Sequence, residues 1–389
     1  MSFSRLDRIA LDVNPLRGLD RLAPGEPELV SPFLASFLTL LLFGLFLSAC
    51  APASPANSRQ AGDFNEPLLL LGDGTADWLE EAVYSSDHLV VNGSFHSFDG
   101  TQLPLRAWMP YGEPAQAVVL ALHGFNDYTR AFEPLGRTLA SRGIAVYAYD
   151  QRGFGAGPNV GLWAGTLTMA ADLRAAAARL RDDHPGVPLF ILGESMGGAV
   201  VLAAEAAAPL GADGLVLSAP AVWGRETQPW YQRAALWLAL RTVPWYQPSP
   251  RGLDIQASDN IEMLRALGQD PLVMGSARID AIAGLVDLMD AALEAAPVIY
   301  TPTLLLYGER DEIVPPEPIE RLWHDMPESA GHRFVRYPEG WHLLTRDLQG
   351  PRVIDDIAAW IEDPQAPLPS TDRPLLPVAR GEEIQEGEG

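Results

Sequence analysis

From residue 117 to residue 337 the chain alternates short apolar runs with longer segments of helical periodicity, and few architectures accept that rhythm. The runs at 117–122, 144–149, 189–192 and 214–218 are apolar at consecutive positions, and 303–307 and 333–337 continue the series. Successive side chains of a strand point to opposite faces, so an unbroken apolar run must be covered on both. Segments 167–183, 196–208 and 353–361 carry the helical spacing that would do so. The pattern predicts an α/β fold: a mostly parallel sheet with helices on both faces. Ahead of it, 93–98 and 103–109 flank Asp99-Gly100 and read as an antiparallel hairpin. Residues 221–300 separate two strands by far more than a crossover needs, and they carry Trp223, Trp230, Trp237 and Trp245. They read as an inserted helical cap.

Composition removes several chemistries. All 27 cationic residues are arginine, so a phosphate-loop lysine, a Schiff-base lysine and a Ser-Lys pair are ruled out. The formal charge of −23 argues against nucleic acid, whose binding needs clustered cations. The single cysteine, Cys50, can form neither an internal disulfide nor a cysteine-rich metal site. None of the seven histidines lies in HExxH, and Gly153, Gly155 and Gly157 lack dinucleotide-turn spacing. The expectation is chemistry without metal or cofactor.

Gly193-Glu194-Ser195-Met196-Gly197 fits G-x-S-x-G and sits between the run 189–192 and an alanine-rich helix. Gly193 and Gly197 permit a tight strand-to-helix turn that lifts the serine hydroxyl clear, and the following helix dipole favours developing negative charge. A serine needs a base, and the base needs an orienting acid. Asp311 follows the run 303–307, and His342 follows the run 333–337, so both project from carboxyl ends of strands, where such loops converge. Glu309 and Glu312 flank Asp311 and compete for the role of acid on composition. His88, His96, His184, His324 and His332 read more simply as packing or surface residues. The oxyanion donors expected for such a turn are the backbone N–H groups of Met196 and of Phe125 in His123-Gly124-Phe125, with Gly124 letting the loop approach and His123 shaping it.

With those residues in place, residues 93 to 362 resemble the monoacylglycerol lipase and lysophospholipase branch of the α/β-hydrolases. The resemblance rests on His123-Gly124, Asp150-Gln151-Arg152-Gly153-Phe154-Gly155, Gly193-Glu194-Ser195-Met196-Gly197-Gly198, Asp270-Pro271-Leu272, Gly308 with Asp311, and His342. It implies an α/β-hydrolase fold and hydrolysis of single-chain lipid esters. Two positions depart from it: members commonly carry histidine where Glu194 stands, and another in the loop that here reads Asn126-Asp127-Tyr128. The residues alone establish a serine acyl hydrolase. A prolyl-aminopeptidase-type peptidase would need an acidic pocket, for which Glu226, Asp254, Asp259 and Glu262 are candidates. A small-ester carboxylesterase and a non-catalytic binding protein complete the alternatives. Trp230-Tyr231 and 234–240 are apolar enough to roof an acyl pocket or touch a lipid surface, and equally to pack as ordinary cap.

The resulting organisation is a lipoprotein-type signal segment at 1–49, a tether at 50–67, α/β-hydrolase core at 68–220, cap at 221–300, core again at 301–362, and an acidic, proline-rich tail without fixed structure at 363–389. The apolar run 33–47 ends in Leu47-Ser48-Ala49-Cys50 and is followed by a Pro/Ala/Ser stretch, a pattern that resembles a bacterial lipoprotein signal. Lipidated Cys50 would anchor the enzyme to a membrane, expected to be the outer membrane facing the periplasm, the alternative being an uncleaved N-terminal anchor. Fractionation of wild type beside Cys50→Ala, with intact mass of the N-terminus, decides between them. Lipidation predicts a membrane-bound protein starting at Cys50 and its loss from that fraction in the variant. A membrane-bound chain still beginning upstream of Phe33 establishes the uncleaved anchor instead.

Overall fold

The computed structural model describes residues 83–84, 88–248, 255–328 and 331–370. Its centre is a nine-stranded sheet in the order β1-β2-β3-β5-β4-β6-β7-β8-β9. Strands β1 (Val83–Tyr84), β2 (His88–His96) and β3 (Gln102–Pro110) form an antiparallel edge, and β3 pairs antiparallel with β5 (Ile144–Tyr149), Leu105 opposite Tyr149. From β5 onward every pairing is parallel: β4 (Ala117–Leu122), β6 (Leu189–Glu194), β7 (Gly214–Ser218), β8 (Thr303–Gly308) and β9 (Arg333–Tyr337).

The apolar strands divide between two cores, as a period of two requires. In β4, Val118, Leu120 and Leu122 enter one core while Val119 and Ala121 enter the other. The first core is closed by helices α2 (Thr166–Asp183), α3 (Met196–Ala207), α6 (Ile279–Ala295) and α7 (Pro316–Asp325). The second is closed by α1 (Glu133–Ser141) and α8 (Gly350–Glu362), with Trp108 and Trp360 fully buried in it. Adjacent strands β4 and β6 therefore send the chain to opposite faces, through α1 and α3, and a crevice opens at their carboxyl ends.

Two boundaries differ from the expectation. Ala221 and Val222 still belong to the first core, and it is the two helices after them that stand outside it: α4 (Trp230–Thr242) buries Ala239 alone, and α5 (Ile261–Leu267) buries no residue. Helix α6 instead packs on α3 with Ile279, Ala283, Val286 and Leu293 buried at helical spacing, so it covers the sheet rather than capping it. The tail expected to lack structure from 363 is held to the domain as far as 370. Leu368 is 2% exposed, the Ser370 N–H donates to Asp356 at 2.8 Å, and Arg333 donates to the carbonyl of Ala366. Low hydrophobicity hid this, because a single leucine and a few backbone hydrogen bonds suffice to dock a short segment. The segments 1–49 and 50–67, Cys50 and 371–389 lie outside the described residues.

Leu368→Ala is expected to lower stability by about 2–3 kcal/mol in chemical denaturation, the usual cost of truncating a buried leucine. A change below about 0.5 kcal/mol, the range of surface substitutions, would show that the segment is not docked.

Candidate active site

Strand β6 ends at Glu194 and helix α3 begins at Met196, leaving Ser195 as the only residue in the turn. Its backbone is forced to φ 52°, ψ −116°, a left-handed conformation that costs on the order of 1–3 kcal/mol outside glycine and recurs at functional sites. The flanking glycines are sterically required. A Cβ at Gly193 would lie 2.4 Å from the Gly198 nitrogen, and one at Gly197 would lie 2.1 Å from the carbonyl oxygen of Leu122 in β4. The Ser195 N–H donates to the Ser218 carbonyl at 3.0 Å, tying the turn to the end of β7.

Asp311 leaves the turn after β8. One of its carboxylate oxygens accepts the N–H groups of Ile313 (2.7 Å) and Val314 (2.9 Å). The other is 2.7 Å from His342 Nδ1. A carboxylate only accepts, so Nδ1 carries the proton in this pair, and Nε2 keeps its lone pair when the ring is neutral. The flanking Glu309 and Glu312 are exposed, and neither makes this contact. The two loops are stitched directly: Arg310 N–H donates to the Gly340 carbonyl at 2.9 Å, and a Cβ at Gly308 would clash with Gly340 and Trp341. Burial opposes a charge on His342, but Asp311, with Glu194 behind it, outweighs burial and holds the imidazole above its ordinary value. Asp347 accepts from the Ser258 hydroxyl and the Trp341 N–H, and burial pushes it up to about 6.

The loop after β4 supplies the third side. His123 Nε2 accepts the Gln151 N–H at 2.9 Å, so Nδ1 is the protonated nitrogen and donates to the Gly124 carbonyl at 2.8 Å. Both nitrogens are thereby used in shaping the loop. Gly124 abuts the nucleophile turn: a Cβ there would be 3.4 Å from Cβ of Ser195. Phe125 stacks edge-on against Phe154, and Asn126 takes φ 67°. Among the described residues no acceptor within the protein is seen for the N–H groups of Phe125 and Met196. The remaining histidines are elsewhere: His324 beside Asp325 on α7, His332 against the Ile299 carbonyl, His184 against Tyr147, His96 against Gln102, and His88 against Arg137.

Sequence reasoning missed Arg346, which lies in the short 3-10 turn Leu344–Arg346 after His342 and is 6% exposed. Its guanidinium binds Asp127 at 2.7 Å and Glu194 at 2.6 Å. Nothing in its local spacing announces this, since the partners are more than 150 residues away. The cap joins the same loops through Tyr128 Oη to Asp270 (2.7 Å) and the Met274 N–H to the Asn126 carbonyl (3.1 Å). The acids considered for an amine pocket do not gather: Glu226 pairs with Arg321, Asp259 accepts the Leu348 N–H, Glu262 is exposed, and Asp254 lies outside the described residues. In Asp150-Gln151-Arg152, Asp150 caps the N–H groups of Thr129 and Ala156 while Arg152 pairs with Asp172 and Asp99, which makes that motif architectural.

Residues 113–349 match the family model described as serine aminopeptidase, S33. The chain is 27% identical over 270 residues to a monoacylglycerol lipase of Mycolicibacterium smegmatis, covering 69% of this chain and 95% of that protein. Among solved structures it is similar to the monoacylglycerol lipase of Paleococcus ferrophilus, with a TM-score of 0.57 and 25% identity over 67% of this chain and 98% of that one. A soluble variant of the monoglyceride lipase of Saccharomyces cerevisiae shares the fold, with a TM-score of 0.60 and 21% identity over 74% of this chain and 99% of that one. The chain belongs to the serine aminopeptidase, S33, family of α/β-hydrolases, in its monoacylglycerol lipase-like branch of serine ester hydrolases.

Proposed function

We propose that this serine ester hydrolase cleaves single-chain acyl esters, monoacylglycerols and lysophospholipids foremost, through an acyl-enzyme on Ser195. The observation that carries the reading is the buried 2.7 Å pair between His342 Nδ1 and Asp311, which leaves Nε2 as the basic nitrogen free to serve Ser195. In the first half-reaction Ser195 Oγ attacks the ester carbonyl while His342 Nε2 takes its proton. The oxyanion is received by the N–H groups of Phe125 and Met196, the latter at the positive end of α3. The tetrahedral intermediate collapses, the C–O bond breaks, and the imidazolium returns its proton to the leaving alcohol. Water then attacks the acyl-enzyme with the same assistance, releasing the acid and restoring the serine.

The lipid substrate class is supported by the apolar character of the cap and by the names of the similar enzymes. Trp230, Trp237, Leu238 and Trp245 are exposed on or beside α4, and Phe125 and Trp163 are half-buried beside the nucleophile loop. Among the described residues, Glu226, Asp259 and Glu262 do not gather into a pocket for a substrate ammonium, which disfavours the aminopeptidase reading.

A glycerol and nitrophenyl ester series tests the substrate class, with a proline arylamide alongside. kcat/KM should rise with acyl length by up to about fourfold per methylene, from roughly 0.8 kcal/mol each, until the chain fills its pocket. Faster turnover of acetyl than decanoyl esters below the micelle threshold would make this a small-ester carboxylesterase. Ser195→Ala and His342→Ala should each lower turnover by at least about a thousandfold without loss of folding, and Asp311→Asn should be comparably severe. Near-normal turnover in Asp311→Asn with loss in Glu309→Gln would reassign the acid.

The acid limb of kcat/KM follows from the same pair. Protonated His342 cannot accept the serine proton, and its partners raise its ionisation, so activity should fall as pH drops through a midpoint above 6.5. A limb centred below 6.5 would mean that burial, not Asp311, dominates the ring.

A further inference from the structure

Three loops carry the reacting groups assigned above, and one guanidinium touches two of them from the third. Arg346 follows His342 by four residues, Asp127 lies two residues beyond Phe125, and Glu194 immediately precedes Ser195. Arg346 Nη1 donates to Asp127 at 2.7 Å and Nη2 to Glu194 at 2.6 Å, each of the three side chains being no more than 10% exposed. Thr345 Oγ1 lies at the other Glu194 oxygen, at 3.5 Å. The Glu194 carboxylate also underlies Gly124, since a Cβ there would stand 3.9 Å from Oε1.

Burying three charges carries a desolvation cost of several kcal/mol per ion that a packed apolar cluster would avoid, so stability does not account for the arrangement. Its placement does. The planar fork of arginine bonds two carboxylates at fixed angles, which lysine cannot do. Both carboxylates lie next to the residues assigned to the reaction, and the same arginine binds both.

We propose that Arg346 is a positioning residue for ester hydrolysis: by bridging Asp127 and Glu194 it holds the loop bearing the Phe125 N–H and the turn bearing Ser195 in register with the segment bearing His342. This rests on the reading of Ser195, His342 and Asp311 given above. Arg346 also acts on the base electrostatically. The charged groups acting on His342 are Asp311 from the turn after β8, Glu194 from the end of β6, and Arg346 from its own segment. Asp127 acts through Arg346, and Asp347 binds the neighbouring Trp341 N–H. The two carboxylates favour the imidazolium and Arg346 opposes it.

Geometry and charge separate in three variants of the full chain, each checked for a cooperative thermal transition and measured for kcat, KM and the acid limb. Arg346→Met should lower kcat by about 10- to 100-fold, less than outright loss of an oxyanion donor, with KM changed less than about threefold, and should move the limb up by about half a pH unit or more. Glu194→Gln should move it down. Arg346→Lys keeps the charge and loses the fork, so it should lose kcat with the limb near that of wild type. Because Asp347 also ionises near pH 6, the limbs are compared again in an Asp347→Asn background, where the opposite shifts should persist. If Arg346→Met fails to fold, Arg346→Lys and Glu194→Gln carry the same two expectations. Folded Arg346→Lys with wild-type kcat, or Glu194→Gln with an unmoved limb, overturns the proposal and leaves Arg346 a structural ion pair. Failure of a fluorophosphonate to label Ser195 in wild type is a different result, because it removes the underlying active-site reading itself.

Discussion

A sheet buried on both faces leaves ionisable chemistry only one place to go. In β4, β6, β7 and β8 every side chain is enclosed, and any polar group within them would need a partner that the apolar helices do not provide. The strand ends are where backbone groups are free of the ladder and loops can bring acid, base and nucleophile together. Because β4 and β6 are neighbours whose following helices lie on opposite faces, the loops after them part, and the crevice between them is where Ser195, Gly124 and Phe125 meet. The candidate site is thus a consequence of layer packing before it is a consequence of any one side chain.

Within that crevice the balance of charge is unusual. His342 faces Asp311 directly and Glu194 at one remove, and Arg346 is the cation set against them. Each side chain is largely out of water, so their mutual interactions are poorly screened. The site behaves electrostatically as one object, assembled from the ends of β4, β6, β8 and β9.

The sheet, the Ser195 turn and the places of Asp311 and His342 were legible because each depends on local pattern: alternation of apolar runs, two glycines around a serine, and polar residues just past a strand. The competition among Asp311, Glu309 and Glu312 was not decidable locally, since which carboxylate turns inward depends on the Ile313 and Val314 N–H groups that receive it. Arg346 was invisible for a stronger reason. Its partners come from two other loops, and a buried arginine has the same local sequence as an exposed one. The misplaced cap boundary has another cause: α6 is alanine-rich and follows a long irregular stretch, and only its contact with α3 reveals which side of the crevice it serves. The docked segment 363–370 was missed because composition averages over residues, while Leu368 acts alone.

The division of the 221–300 insertion carries an implication for how such an enzyme diversifies. Helices α4 and α5 contribute almost nothing to either core, whereas α6 closes one of them and braces the helix that begins at the nucleophile turn. The connections around those two helices are bound more tightly: Ser258 is fully buried and donates to Asp347, the Leu343 N–H donates to the Ala257 carbonyl, and Tyr128 donates to Asp270, while the stretch from Ile279 follows the same packing rules as the sheet. Change on the outer faces of α4 and α5 therefore leaves both cores untouched, whereas change at Ser258 or Asp270 reaches the loops that carry His342 and Phe125.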